Sequence, residues 1–198
     1  VKLRSTASLF ASAAILMALL VPARAEIPNN TLKLGVLTDL SGFAADSTGP
    51  GSVAAAKLAI EDFAKENSKI KVELIQGDHQ NKADIGGTLA RRWVDVEKVN
   101  AILDVPFSSV ALAVQEVVRD SKTAFIASGP GTTLLTGEKC SPNTVQWSYD
   151  TWALAHGTAL ALLRAKKDTW FFVTADYAFG HSLEHDAAEV VKAQGGKV

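Results

Sequence analysis

Ala101-Ile102-Leu103-Asp104-Val105-Pro106-Phe107-Ser108-Ser109 opens the stretch, residues 101–120, whose reading decides the fold of this chain. Its first five residues are a short apolar run stopped by a proline, the pattern of a buried strand. From Ser108 onward Val110, Val114 and Val117, with Ala113 and Val118 beside them, recur at helical spacing. A strand, a turn carrying two hydroxyls and a helix therefore follow one another. The free N–H groups of the first helical turn and the hydroxyls of Ser108 and Ser109 make a socket for an anionic or carbonyl oxygen. Serine at a helix N-cap also serves simply to complete the helix. The stretch alone leaves both roles open.

The same unit repeats on either side. Apolar runs at residues 32–38, 70–76, 123–127, 144–148 and 169–174 predict five further strands. Helices are expected between them. One has Val53, Ala56, Ile60 and Phe63 on one face. Another, over 83–96, has Ile85, Leu89, Trp93 and Val96 inward. The helix at 152–165 is apolar on both sides and is expected to be buried, and a last one runs over 181–193. Residues 197–198 read as the start of one more strand. Alternating strands and helices define an α/β fold with a mostly parallel sheet. In such sheets ligands sit beyond the carboxyl ends of the strands. That rule puts Ser41, Asp78, Ser108, Ser109, Gly129, Pro130, Gly131, Thr132 and Phe179 on the functional rim, Phe179 in an exit loop at 176–180. The hydroxyl-rich loop 128–133 adjoins the Ser108 loop there, which favours a binding role for Ser108.

Composition narrows the function. The net charge is -1, with no basic face for nucleic acid and no acidic tail. A single cysteine, Cys140, excludes an internal disulfide framework, and with no histidine near it in sequence it reads as a small loop residue. No Gly-x-Gly-x-x-Gly follows the first strand, and no Walker loop or Gly-x-Ser-x-Gly elbow is present. His181, Glu184 and His185 match an inverted zinc-protease spacing, but with thirteen residues after them a third ligand far downstream is lacking. His79 beside Asp78 reads as a polar loop contact. Trp93 and Trp170 fit core faces, whereas Trp147 and Trp152 are candidates for a pocket wall. At the front, Lys2 and Arg4 precede an apolar run at 9–21 and Ala23-Arg24-Ala25. This is the form of a secretory signal peptide, residues 1–25, cleaved after Ala25. Its apolar run is shorter than the ~20 residues of a spanning helix.

Taken in order, Thr31 through Gly42, the helix 51–63, Gly77 to Asn81, Asp104 to Ser109, residues 128–137 ending in Leu-Thr-Gly, and Thr174-Ala175-Asp176-Tyr177-Ala178-Phe179-Gly180 resemble one family. It is the type I, leucine/isoleucine/valine-binding family of periplasmic solute-binding proteins of ABC importers. The resemblance implies two α/β lobes hinged around a ligand. Residues 26–147 would be the first lobe and 148–198 the incomplete start of the second, so that the chain resembles roughly half of a member. It implies that Ser108, with Ser109, and Gly131-Thr132 hold a small carboxylate, and that Phe179 covers it where many members carry tyrosine. The family's first-lobe disulfide cannot form with Cys140 alone, and the acidic partner of an amino group would lie beyond Val198.

The expectation is an exported, non-enzymatic binding protein without cofactor or metal. It would capture an amino acid or an aromatic acid in the periplasm and deliver it to ABC permease subunits. A periplasmic ligand sensor, or a metal-dependent hydrolase using His181, Glu184 and His185, are the alternatives.

Overall fold

The computed structural model describes residues 27–198, and the expected signal peptide lies outside them. Two units divide the chain. Of Val1–Asn30 only the residues from Ile27, with a short turn at Pro28–Asn30, are described; Thr31–Val198 forms the second unit. Among the described residues no helix is long and apolar enough to cross a membrane.

The second unit is built on five parallel strands: β1 (Thr31–Thr38), β2 (Lys71–Asp78), β3 (Ala101–Asp104), β4 (Ala124–Ala127) and β5 (Thr144–Gln146), in the order β2-β1-β3-β4-β5. Three helices cross between the first four strands: α1 (Gly49–Glu66), α2 (Ala83–Arg92) and α3 (Ser108–Val118). The order reverses between β1 and β3, and the crevice at such a switch point is where open α/β sheets bind ligands. The valine stripe of α3 holds at Val110 and Val114, but Val118 rather than Val117 completes the buried face, Val117 and Ala113 being only half-buried. Val110, Val114 and Val118 are fully buried against Leu37, Ile102 and Phe125 of the sheet. Fully burying each such side chain is worth about 1.5–3 kcal/mol.

The second helix departs from its expected course. It stops being α-helical at Arg92 and continues as a wide π turn, Trp93–Glu97, ended by Lys98 at φ 55°. The wider turn drops the indole of Trp93 onto Gly35 and Gly77, where an added Cβ would lie 2.5 and 2.9 Å from the ring. It also changes the helical phase. Val96, expected inward, is 71% exposed, and Val99 enters the core instead.

Beyond β5 lie α4 (Thr151–Arg164) and α5 (Ala178–Ala193), packed on each other. Several expectations fail here. Residues 169–174 do not form a strand: Thr169 makes a single parallel bridge to Lys197, while Phe171 and Val173 stand almost fully exposed. A strand is held by its neighbours, and among the described residues Lys197 is the one β-bridge partner of this segment. The expected strand at 197–198 is reduced to the other half of that bridge. The helix α4 is not buried on both sides. Thr151, Ala155 and Ala159 are covered, whereas Trp152, Leu154 and Leu162 are exposed, because α5 covers a single flank. Trp147 is 76% exposed, whereas Trp152, 55% exposed and stacked on His156 at 3.8 Å, borders a cavity of about 320 Å³ with Asp186 and Val190, lined by none of Ser108, Ser109 or Thr132. Trp93 is buried as expected, and Trp170 is half-buried with its indole N–H donated to Lys167 O.

Candidate functional site

The socket is made by a sharp bend after β3. Asp104 and Val105 both adopt positive φ, 78° and 54°, a conformation that is rare for a β-branched residue and marks a strained position. Three contacts hold it. Val105 N donates to Leu37 O at 2.9 Å, Ser128 Oγ donates to Asp104 Oδ1 at 2.8 Å, and Ser128 N donates to Asp104 O. The bend delivers Ser108 as the first residue of α3 rather than as its cap. The N-cap position falls on Phe107, with no side-chain capping bond. The Ser108 hydroxyl, freed from the capping role, instead accepts from Thr132 N at 3.3 Å.

The other predicted site residues gather at the same place. Ser109 Oγ accepts from Ala178 N at 3.2 Å and so caps α5 from across the cleft. That bond explains why α5 starts at Ala178, three residues earlier than expected, and why Phe179 lies in its first turn and not in an exit loop. Thr132 Oγ1 lies 2.6 Å from Ser182 Oγ and accepts from Leu134 N. The Gly131 backbone is wedged between two rings: an added Cβ would lie 2.8 Å from Tyr149 and 2.9 Å from Phe179. Ser108, Ser109, Gly131, Thr132 and Phe179 are therefore brought together.

An aromatic chain runs beside the hydroxyls. Phe43 meets Phe107 edge-on at 5.3 Å, Phe107 lies 6.4 Å from Tyr177, and Tyr177 lies 6.0 Å from Phe179. Sequence reasoning missed Phe43, Phe107, Tyr149, Tyr177 and Ser182. For Phe107 and Tyr177 a signal existed, since each directly precedes a helix start on the functional rim. Phe43 and Ser182 gave none.

Other rim residues are structural ties. Asp78 accepts from Ser41 Oγ, Leu40 N and Gln80 N, which joins the exit loops of β1 and β2. Burial opposes its ionised form, yet these hydrogen bonds prevail and hold its carboxyl below the usual range. His79 makes the expected polar contact within its loop, and it is fully buried. Its Nδ1 accepts from Asn81 N at 3.0 Å, which places the proton on Nε2, and Nε2 has no hydrogen-bond partner. Burial pushes its pKa below 6.5 against the pull of Asp39, Asp78 and Asp104. A lowered folded-state value means that acid favours the unfolded chain. The stability held by neutral His79 is complete above pH 6.5 and falls as the pH drops from there towards its folded pKa. His79→Gln is expected to flatten the melting temperature between pH 6.5 and 5 relative to wild type. Parallel wild-type and variant curves would refute this.

The inverted zinc-protease residues form no joint site among the described residues. Glu184 accepts from Thr174 Oγ1, His181 pairs with Asp176, and His185 is exposed. Among the described residues no three His, Cys, Asp or Glu side chains could hold a metal ion. Cys140 is an exposed free thiol in a loop held by Arg119, whose guanidinium donates to the carbonyls of Lys139 and Cys140. A cavity of about 530 Å³ opens between α4, α5 and residues 170–177. It shares Tyr177 and Phe179 with the site but none of Ser108, Ser109 or Thr132. Its lining is dominated by apolar side chains such as Leu154, Trp170, Phe172 and Leu183, so it is an uncovered helix face rather than a carboxylate socket.

A parallel sheet with a hydroxyl socket at its switch point has the form of a small-molecule binding site. The chain belongs to the periplasmic binding protein family, whose model matches residues 31–198, and to its type I branch by fold. This family binds solutes and is not catalytic. The chain is similar to a periplasmic binding protein from Burkholderia mallei, at 44% identity and a TM-score of 0.81 over 85% of this chain and 45% of that one. It is also similar to a branched-chain amino acid ABC transporter periplasmic ligand-binding protein from Burkholderia xenovorans (34%, TM-score 0.71, 84% and 44%). A third likeness is to a solute-binding protein of an ABC transporter from Rhodopseudomonas palustris, in complex with 3,4-dihydroxybenzoic acid (26%, TM-score 0.74, 85% and 46%). The chain spans slightly under half the length of these structures. No curated protein matches it.

Proposed function

We propose that this chain is the ligand-gripping portion of an ABC importer's periplasmic binding protein, and that the ligand is a small carboxylate, in the first place an aromatic acid. The observation that carries the reading is the convergence of Ser108, Ser109 and Thr132 beside the Phe43–Phe107–Tyr177–Phe179 chain. A carboxylate only accepts hydrogen bonds, and three hydroxyls with first-turn N–H groups of α3 supply donors for it. Rings in edge and tilted contact offer an apolar flank with ring faces and edges for another ring to pack on. The Rhodopseudomonas relative holds a dihydroxybenzoic acid, and the Burkholderia xenovorans relative is a branched-chain amino acid ABC transporter periplasmic ligand-binding protein, so leucine is the competing ligand class.

Residues 26–147 and 148–198 would be the first lobe and the start of the second. Ligand would select the closed arrangement of the two lobes, which then docks on a permease in the membrane. Residues 1–25 would direct export, and the protein would perform no reaction of its own. The test is calorimetry and thermal shift on the full-length product of the gene, with benzoate, 3,4-dihydroxybenzoate and leucine. Saturation at ~100-fold above the dissociation constant is expected to stabilise the protein by about 2.7 kcal/mol, with an aromatic acid binding more tightly than leucine. Tighter binding of leucine would move the ligand class, and binding of none would end the reading.

A further inference from the structure

The three hydroxyls of the socket use their oxygen lone pairs on the protein itself. Ser108 Oγ accepts from Thr132 N, Ser109 Oγ accepts from Ala178 N, and Thr132 Oγ1 accepts from Leu134 N. In each case a backbone N–H is the donor, so the hydroxyl proton stays unspent. Thr132 has one more neighbour, Ser182 Oγ at 2.6 Å, in the second turn of α5, and both hydroxyls are buried. The direction of that single bond decides what Thr132 can do. A hydroxyl has one proton and two lone pairs. If Thr132 donates to Ser182, its proton is consumed. If Ser182 donates, both lone pairs of Thr132 are filled, and its proton is left for an acceptor in the cleft.

We propose that Ser182 is a positioning residue: it donates to Thr132 Oγ1 and thereby turns the Thr132 proton towards the ligand carboxylate. The inference rests on the reading that Thr132 grips a carboxylate. It makes the socket a uniform set of three O–H donors, suited to a group that can only accept. It also ties recognition to closure. Ser182 belongs to α5 and Thr132 to the loop after β4, so the Thr132 proton is set only when the two segments meet. Ser182 itself touches no ligand; its effect passes through Thr132.

The test is isothermal calorimetry on the full-length gene product with 3,4-dihydroxybenzoate, benzoate and leucine as probes, in a cycle of Ser182→Ala, Thr132→Val and the double variant. Loss of one net hydrogen-bond contribution predicts that Ser182→Ala weakens carboxylate binding by about 3- to 10-fold. Ser182→Thr, which keeps the hydroxyl, is expected to restore it. In the Thr132→Val background Ser182→Ala is expected to change nothing, an outcome that a merely structural role for Ser182 would not give. If Thr132→Val weakens binding and Ser182→Ala leaves it unchanged or tightens it, the positioning role is wrong while the carboxylate reading survives. If Thr132→Val has no effect, or no probe binds, the carboxylate reading fails and the role of Ser182 fails with it.

Discussion

Trp93→Ala is expected to destabilise the protein by about 3–5 kcal/mol, the cost of emptying a large aromatic site in a packed core. The reason is local and severe. The ring lies on Gly35 of β1 and Gly77 of β2, both of which lack the side chain that could refill the space. It is 5% exposed and belongs to the cluster of Leu37, Ile102, Val110 and Phe125. The ring sits at the first residue of the π turn, so its removal also takes away a contact made by the wider turn. Trp152→Ala is the matched control: its ring is 55% exposed and stacks on His156, and a change within about 0.5 kcal/mol is expected. Urea unfolding of the two variants checks both figures. Comparable losses would mean that the sheet face under α2 is not packed as described.

These two tryptophans also show what a sequence can and cannot convey. Trp93 fell on the apolar face of a periodic segment, and periodicity reports burial wherever an element has a face to cover. The valines of α3 and the parallel β-α alternation were legible for the same reason. Trp152 sat in an equally apolar segment, but periodicity is silent about whether a partner is present. Among these residues α5 covers one flank of α4, and residues 170–174 meet no adjacent strand. Backbone detail was also illegible. A π turn at Trp93 and two positive φ angles at Asp104 and Val105 are consequences of tertiary fit, with no glycine to announce them. In the site, Ser108, Ser109, Gly131, Thr132 and Phe179 could be placed together by the rule for sheet ends and by family resemblance. Ser182 could not, because a serine one turn into a helix looks like solvated surface until the opposing hydroxyl is seen.

Gly131→Ala is expected to weaken ligand binding by about 5- to 150-fold while leaving the fold intact. Gly131 has no positive φ, so alanine fits the backbone there without strain. The obstacle is space alone. The new methyl would lie 2.8 Å from Tyr149 Cε2 and 2.9 Å from Phe179 Cε2, inside the contact distance of real side chains. Overpacking of this kind costs about 1–3 kcal/mol, which is about 5- to 150-fold in an equilibrium constant. The strain is confined to the meeting of the Gly131 loop with Tyr149 and with the first turn of α5, so it should act on the arrangement that grips the ligand. Thermal unfolding of the unliganded variant is expected to stay near wild type, since the core under α2 and α3 is untouched. Phe179→Ala in the Gly131→Ala background removes one of the two obstructing rings and is expected to regain space but not affinity, because the covering ring goes with it. Calorimetry with an aromatic acid separates the cases. Unchanged affinity in Gly131→Ala would show that both rings yield freely, and that the wedge between them does not shape the ligand site.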